Sequence, residues 1–311
     1  MRNLQGLSIS EVKPVGAKFA DWIFVLICAV IILFDSRPWE VMQIHHVILL
    51  AMISSSVFVL LWWADRYERE PTCSILWALA WGAFPACFLS IIFESFAFTT
   101  LAGAFIEEAF KLLGLVVAYK RLNIQSWMDG LIIAGYIGLG FAIFEDVLYA
   151  ISSSDITAII VERGIFSIFS HTFFSGLGGT VIVFGFLSRR FWISLIGFTI
   201  AFTLHLLWNT VLFLETFTES IGVFFVLYAV IPPVIVIISA VILRLNEKSE
   251  LERKGDLAIA SGQITQERLI LISSLKMRRD YAKKISSKLE RSQFKRSLHE
   301  DARKILSLPL I

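Results

Sequence analysis

The stretch Phe105–Gly114 reads FIEEAFKLLG: two adjacent glutamates and a lysine inside a run otherwise apolar enough to lie in hydrocarbon. If this run crosses a membrane, every loop before and after it is assigned to a side, so its reading decides the fold. The composition around it favours a crossing. Of 311 residues, 57% are hydrophobic and 17% charged, whereas soluble domains carry about 25% charged residues. The mean hydropathy is +0.74. Apolar stretches of crossing length, near the 17 to 25 residues that a bilayer core of roughly 30 Å demands, recur almost to position 245. The expected class is therefore all-α: a polytopic helical bundle in the cell membrane, with no nucleic-acid partner.

Eight spans are expected, at about residues 19–34, 46–63, 74–98, 101–119, 129–150, 164–187, 192–214 and 221–244. The first apolar run continues into Phe34 and Asp35 without a small-residue cleavage site, so it reads as a retained helix. Trp62, Trp63, Trp127 and Trp192 near span ends fit an interfacial aromatic belt. Cys28, Cys73 and Cys87 form no CxxC pair and read as packing residues. Lys and Arg alternate between the two sets of loops. One set holds Arg2, Lys13, Lys18, Arg66, Arg69, Lys120, Arg121, Arg189, Arg190 and the tail; the other holds Arg37 and Arg163. The positive-inside rule then puts both termini in the cytoplasm.

Two domains follow, a transmembrane domain over 1–245 and a basic tail over 246–311 with 15 Lys and Arg against nine Asp and Glu. In the tail Leu271, Leu275, Ile285 and Leu289 recur as on one face of an amphipathic helix, among Lys276, Arg278, Arg279, Lys283, Lys284 and Lys288. Such a helix either lies on anionic lipid or packs as a hairpin on protein.

Ionisable groups inside spans are costly and usually face a bundle interior. Here they are Glu94, Glu107, Glu108, Lys111, Glu145, Asp146, His171 and His205, with Asn209 one turn after His205. At about 1.5 Å rise per residue, Glu107, Glu108, Glu145, His171, His205 and Asn209 all fall about 8 to 13 Å below the outer surface. Any one of them alone is more simply an interhelical hydrogen-bonding group. Four helices contributing to one layer point instead to a site. Lys111 shares a helical face with Glu107 or Glu108, which themselves diverge by about 100°. Glu94 reads as snorkelling to the interface and Asp146 as secondary, while His45, His46 and His299 have no visible partner. Glycines at 135, 138, 140, 176, 178 and 179 suit close helix packing.

Glutamate, histidine and asparagine at one depth suit activation of water. A carboxylate takes the proton, histidine orients the water or binds a metal, and asparagine steadies a developing oxyanion. Glu107, Glu108, His171, His205, Asn209 and Glu145 are the candidate catalytic groups, with Lys111, Phe141 and Asp146 in support. Zinc is one reading of the same donors, with Glu108, His171 and His205 as ligands, although nothing matches HExxH.

These motifs, EEAFK (Glu107–Lys111), DG at Asp129 and Gly130, GLGFAIFED (Gly138–Asp146), His171 and HLLWN (His205–Asn209), resemble as an ordered set the PrsW family of intramembrane proteases. DRYEREP (Asp65–Pro71) is also similar to that family's pattern, and the resemblance covers roughly residues 60–215. The family is related to CAAX prenyl endopeptidases and bacterial immunity-type membrane proteins. The resemblance implies a catalytic glutamate pair at Glu107 and Glu108, a first histidine at His171, a final HxxxN at His205 and Asn209, and a fifth-span motif at Phe141 and Glu145. Lys111, where the CAAX branch has Arg, favours PrsW. Asp146 stands where the family usually has Asn. The implied activity is metal- or glutamate-dependent cleavage of a single-span membrane protein, such as an anti-sigma factor, near the extracytoplasmic side. The competing readings are a proton-coupled transporter and a proteolytically inactive scaffold or immunity relative.

Overall fold

The structure, a computed structural model, describes residues 19–96, 99–215 and 221–308, with side chains described for 20–96, 99–210 and 230–308. The polar N-terminal segment with Arg2, Lys13 and Lys18, and Phe98 at the expected end of the third span, lie outside the described residues. Among the described residues, the long helices of the apolar region are α1 (Phe19–Ser36), α2 (Ile44–Ala64), α3 (Thr72–Glu94), α4 (Thr100–Arg121), α5 (Trp127–Ile151), α6 (Ile156–Leu187), α7 (Phe191–Glu215) and α8 (Ile221–Ala260). Each expected span falls on one of them. Six, namely α2, α3 and α5 to α8, are long and apolar enough to cross a membrane. Phe105–Gly114 lies on α4, which is not among the six.

One helix start and one helix interior differ from expectation. Asp155 caps α6, its carboxylate accepting the Ala158 N–H at 2.9 Å, so the helix begins well before Gly164. Arg163, expected in an outer loop, is therefore a helical residue. A π-helical turn over Gly82–Ala86 interrupts α3 around Pro85, whose missing N–H prevents a regular ladder there. At the start of α5, Ser126 and Asp129 form a reciprocal capping box, with Ser126 Oγ 2.7 Å from Asp129 Oδ1. That gives the Asp129 of the DG motif a local structural role.

α5 is buried along nearly its whole length, which a helix apolar on every side requires. Small residues let its neighbours reach its backbone. A Cβ on Gly138 would stand 2.4 Å from the His171 carbonyl of α6, and one on Gly140 would stand 2.0 Å from the Leu79 carbonyl of α3. The Gly176–Gly179 run remains helical within α6. The polar layer is thus mounted on helices in backbone contact.

The chain divides into two compact units, one holding residues 16–64 and 71–240, the other holding 65–70 with the chain from Val241 onward. In the second unit the tail, read from sequence either as one amphipathic helix on lipid or as a packed hairpin, forms three helices on a shared core: α9 (Gln266–Ser273), α10 (Leu275–Lys284) and α11 (Lys288–Leu306). Ser274 and Ser287 each cap the next helix with a side-chain oxygen, and this local bonding wins over continuation. Leu271, Leu275, Ile285 and Leu289 consequently do not share one helix face. The core of the unit is Tyr67, Leu251, Ala258, Leu269, Ile272, Leu298, Ala302, Ile305 and Leu306. Arg278, expected on the basic surface, is 6% exposed and donates to the carbonyls of Tyr67, Leu271 and Ile272. Arg303 pairs with Glu68, and His299 Nδ1 lies 3.0 Å from the Tyr67 carbonyl oxygen and 3.2 Å from the Arg69 nitrogen, so His299 does have partners.

Candidate active site

Glu107 and Glu108 project from α4 in different directions, and the structure assigns them different neighbours. The Glu108 side chain is fully buried. Its Oε1 accepts from Lys111 Nζ at 2.7 Å and from His205 Nδ1 at 2.9 Å, and its Oε2 accepts from Ser175 Oγ at 3.4 Å. Glu107 keeps 12% of its side chain exposed, with Oε2 lying 3.3 Å from Lys111 Nζ and 3.8 Å from His205 Nε2. Lys111 therefore bridges both glutamates, as helical spacing of three and four residues permits. Its ammonium also reaches His171 Nδ1 at 2.9 Å and sits 3.9 Å from the centre of the Phe141 ring. A fully buried lysine is tolerable here because carboxylate, imidazole and aromatic face all compensate its charge.

From α5, Glu145 brings Oε2 to within 3.1 Å of His171 Nε2. The two imidazoles meet edge to face with ring centres 4.9 Å apart, and Phe174 stacks on His205 at 5.7 Å. Glu107, Glu108, Glu145, His171 and His205, expected from depth alone, thus converge from four helices together with Lys111 and Phe141. Asn209 lies half-buried one turn beyond His205, and none of the hydrogen bonds above includes it. Asp146 points to Arg163 rather than to the histidines. Glu94 is half-buried, with Oε1 buried and without a hydrogen-bond partner among the described residues.

The expected metal set was Glu108, His171 and His205. The donor atoms that lie within 4.8 Å of one another instead belong to Glu107, His171 and His205. Glu108 is committed to Lys111 and His205, and the roughly 100° between consecutive helical residues leaves only one of the two glutamates on the histidine side. The donor types suit a metal, with the Lys111 ammonium now resting 3.3 Å from Glu107 Oε2 and 2.9 Å from His171 Nδ1, where a metal would have to displace it. His205 gives its Nδ1 proton to Glu108, so Nε2 faces Glu107 Oε2 with two lone-pair atoms 3.8 Å apart, an arrangement that a cation or a water molecule would bridge. Two imidazoles and one carboxylate are also the donor set of open catalytic zinc sites.

Two residues escaped the sequence reading. Ser175 is i+4 from His171, a spacing that would have suggested the same face. Arg163 was counted as a loop charge, yet it donates to Glu145 Oε2 at 2.8 Å and to Asp146 Oδ1 at 3.0 Å.

The model of a family described as PrsW family intramembrane metalloprotease matches residues 70–238, more than half of the chain. Protease PrsW of Bacillus subtilis (strain 168) is 30% identical over 98 residues, covering 28% of this chain and 45% of that protein. Protease PrsW of Clostridioides difficile (strain 630) is 28% identical over 127 residues, covering 36% and 53%. The chain thus spans about half the length of the curated relatives it matches. No solved structure matches it.

Proposed function

The chain belongs to the PrsW family of intramembrane metalloproteases, and from that premise we propose that it hydrolyses a peptide bond within the membrane. The observation that carries this reading is the convergence of Glu107, Glu108, Glu145, His171 and His205 around one partly open point. The substrate we assign is a membrane-anchored, single-span protein of the anti-sigma-factor kind, cut near the extracytoplasmic side of the cell membrane. In this reading both termini are cytoplasmic, and the polar layer lies toward the outer face.

The two glutamates divide the work by exposure. Glu108 is saturated and holds Lys111 and His205 in place. Glu107 is open and meets the water, either as the base that takes its proton or as a ligand beside His171 and His205. Lys111 offsets the two carboxylates, so that the cluster does not carry two uncompensated charges in a water-poor site. A zinc ion held by Glu107, His171 and His205 would supply a water of lowered pKa and polarise the scissile carbonyl. Asn209 is assigned to the oxyanion through its place one turn from His205.

The test is metal analysis of purified protein in lipid, coupled to cleavage of a reporter with and without a chelator. About one tightly held zinc per chain, with activity lost on chelation and restored by zinc, makes Glu107 a ligand. Cleavage that survives complete metal removal makes it the base. Absence of cleavage under both conditions, with proton flux into proteoliposomes, replaces the proposal with a transporter.

The tail supports a second, smaller assignment. Met277, Tyr281 and Leu289 are exposed among the exposed Lys276, Arg279, Lys283, Lys284 and Lys288. We assign these exposed residues to anionic lipid, which apolar side chains interleaved with lysines in sequence suit. Exchange of Lys283, Lys284 and Lys288 for glutamine would then weaken crosslinking of the tail to anionic but not to neutral headgroups in nanodiscs.

A further inference from the structure

Arg163 stands at a junction that the glutamate and histidine motifs leave unexplained. Its guanidinium, on α6, spans the consecutive carboxylates of α5, with Nη2 2.8 Å from Glu145 Oε2 and Nε 3.0 Å from Asp146 Oδ1. The guanidinium carbon lies 3.7 Å from the centre of the Tyr149 ring, a cation–π contact. The same Glu145 oxygen is 3.1 Å from His171 Nε2. One carboxylate oxygen is therefore shared between the arginine and the first histidine.

Donor arithmetic then decides the state of His171. An ionised carboxylate only accepts, so the proton of the 3.1 Å contact sits on Nε2. The other nitrogen, Nδ1, carries a lone pair and accepts from Lys111 Nζ at 2.9 Å. His205 shows the complementary arrangement, with Nδ1 on Glu108 at 2.9 Å and Nε2 toward Glu107. Each histidine thus has one carboxylate behind it, as metal-binding histidines generally do, and turns its unprotonated nitrogen inward, that of His171 onto Lys111 Nζ and that of His205 toward Glu107. Glu108 is anchored by Lys111, whereas the anchor of Glu145 is Arg163. The tie between α5 and α6 does not need Glu145: the fully buried Asp146 supplies it.

We propose that Arg163 is a positioning residue of the site, which holds Glu145 against His171 Nε2 and so, with Lys111 on the other nitrogen, keeps Nδ1 of His171 inward and proton-free. The proposal deepens the hydrolytic reading of the cluster and rests on it. Its decisive readout needs neither cleavage nor a bound metal.

The experiment uses the full chain, labelled with 15N-histidine, in lipid nanodiscs, and reads the tautomer of His171 from its ring nitrogen shifts. The wild type is expected to show a protonated, hydrogen-bonded Nε2. Arg163→Gln and Glu145→Leu should each move His171 to a mixture of tautomers. Arg163→Lys, which keeps the charge but cannot span both carboxylates, should move it part of the way, and Asp146→Asn should leave it in place. Zinc affinity, measured by chelator competition, should fall about tenfold or more in Arg163→Gln and in Glu145→Leu, with the double variant no worse than either single one. A His171 spectrum unchanged in both Arg163→Lys and Arg163→Gln overturns the proposal, as does a double variant whose losses multiply. If Arg163→Gln does not fold, Arg163→Lys and Glu145→Leu decide the matter by the same spectrum. A wild type that neither binds zinc nor cleaves, but shows the expected tautomer and its loss, counts against the hydrolytic reading and leaves the role of Arg163 intact.

Discussion

At the scale of single residues, Lys111 carries the most electrostatic weight. Its side chain is fully buried and pairs with Glu108 at 2.7 Å and with Glu107 at 3.3 Å. Removing one partner of a buried pair leaves an uncompensated charge and costs about 3–5 kcal/mol. Lys111→Met should therefore lower stability by about that amount in a denaturation assay in lipid, while Glu107→Gln, at a more exposed and less committed group, should cost distinctly less. The members of this cluster were legible in sequence because ionisable residues inside apolar spans are rare and their depths follow from helical rise. Which glutamate faces the histidines was not legible, because it depends on the rotation of α4 about its axis. Arg163 was missed for a related reason: hydropathy places a span start where the apolar run begins, whereas the Asp155 cap starts the helix earlier.

At the scale of elements, the site depends on how closely α5 can approach α6 and α3. Gly138 faces the His171 carbonyl so closely that an added Cβ would stand 2.4 Å away, against backbone that cannot rotate aside. Gly138→Ala should push α6 outward beside His171, and a displacement of about 1 Å in a catalytic group can cost about 100-fold in rate. Cleavage per folded molecule measures this. Ser126→Ala acts differently, since it breaks the capping box remote from the histidines. It should cost about 1 kcal/mol of stability and leave cleavage per folded molecule unchanged. Helix positions were largely readable from hydropathy, and the glycines from the small-residue rule for membrane packing. The π turn around Pro85 was not readable, because a proline inside an apolar run is compatible with a kink, a break or a bulge.

At the scale of the whole molecule, the basic tail becomes a folded unit that includes residues 65–70. Its polar joints are the Arg278 contacts, the Arg303 pair with Glu68, and His299 against the Arg69 N–H. Burial, with help from the nearby Arg278 charge, pulls His299 from its ordinary 6.5 down to about 4. The folded unit therefore prefers the neutral imidazole, and as pH falls the unfolded chain takes the proton first. The stability of the unit should be full above about pH 6.5 and decline as pH drops toward about 4. Hydrogen exchange of residues 288–306 at pH 7.5 and at pH 5 tests this, with faster exchange expected at the lower pH after correction for intrinsic rates. His299→Phe, which cannot titrate, should lose most of the difference. Composition alone marked this segment as separate and basic. The partnership with residues 65–70 was hidden, because it joins side chains more than 200 positions apart.

The central claim is that Glu107, Glu108, His171 and His205 belong to one hydrolytic site. The most direct measurement is cleavage of a single-span reporter in membranes by the wild type and by Glu107→Gln, Glu108→Gln, His171→Ala and His205→Ala, each checked for folding by its elution in detergent. The account predicts cleavage by the wild type and its loss in all four folded variants. Full activity in the four variants would contradict it.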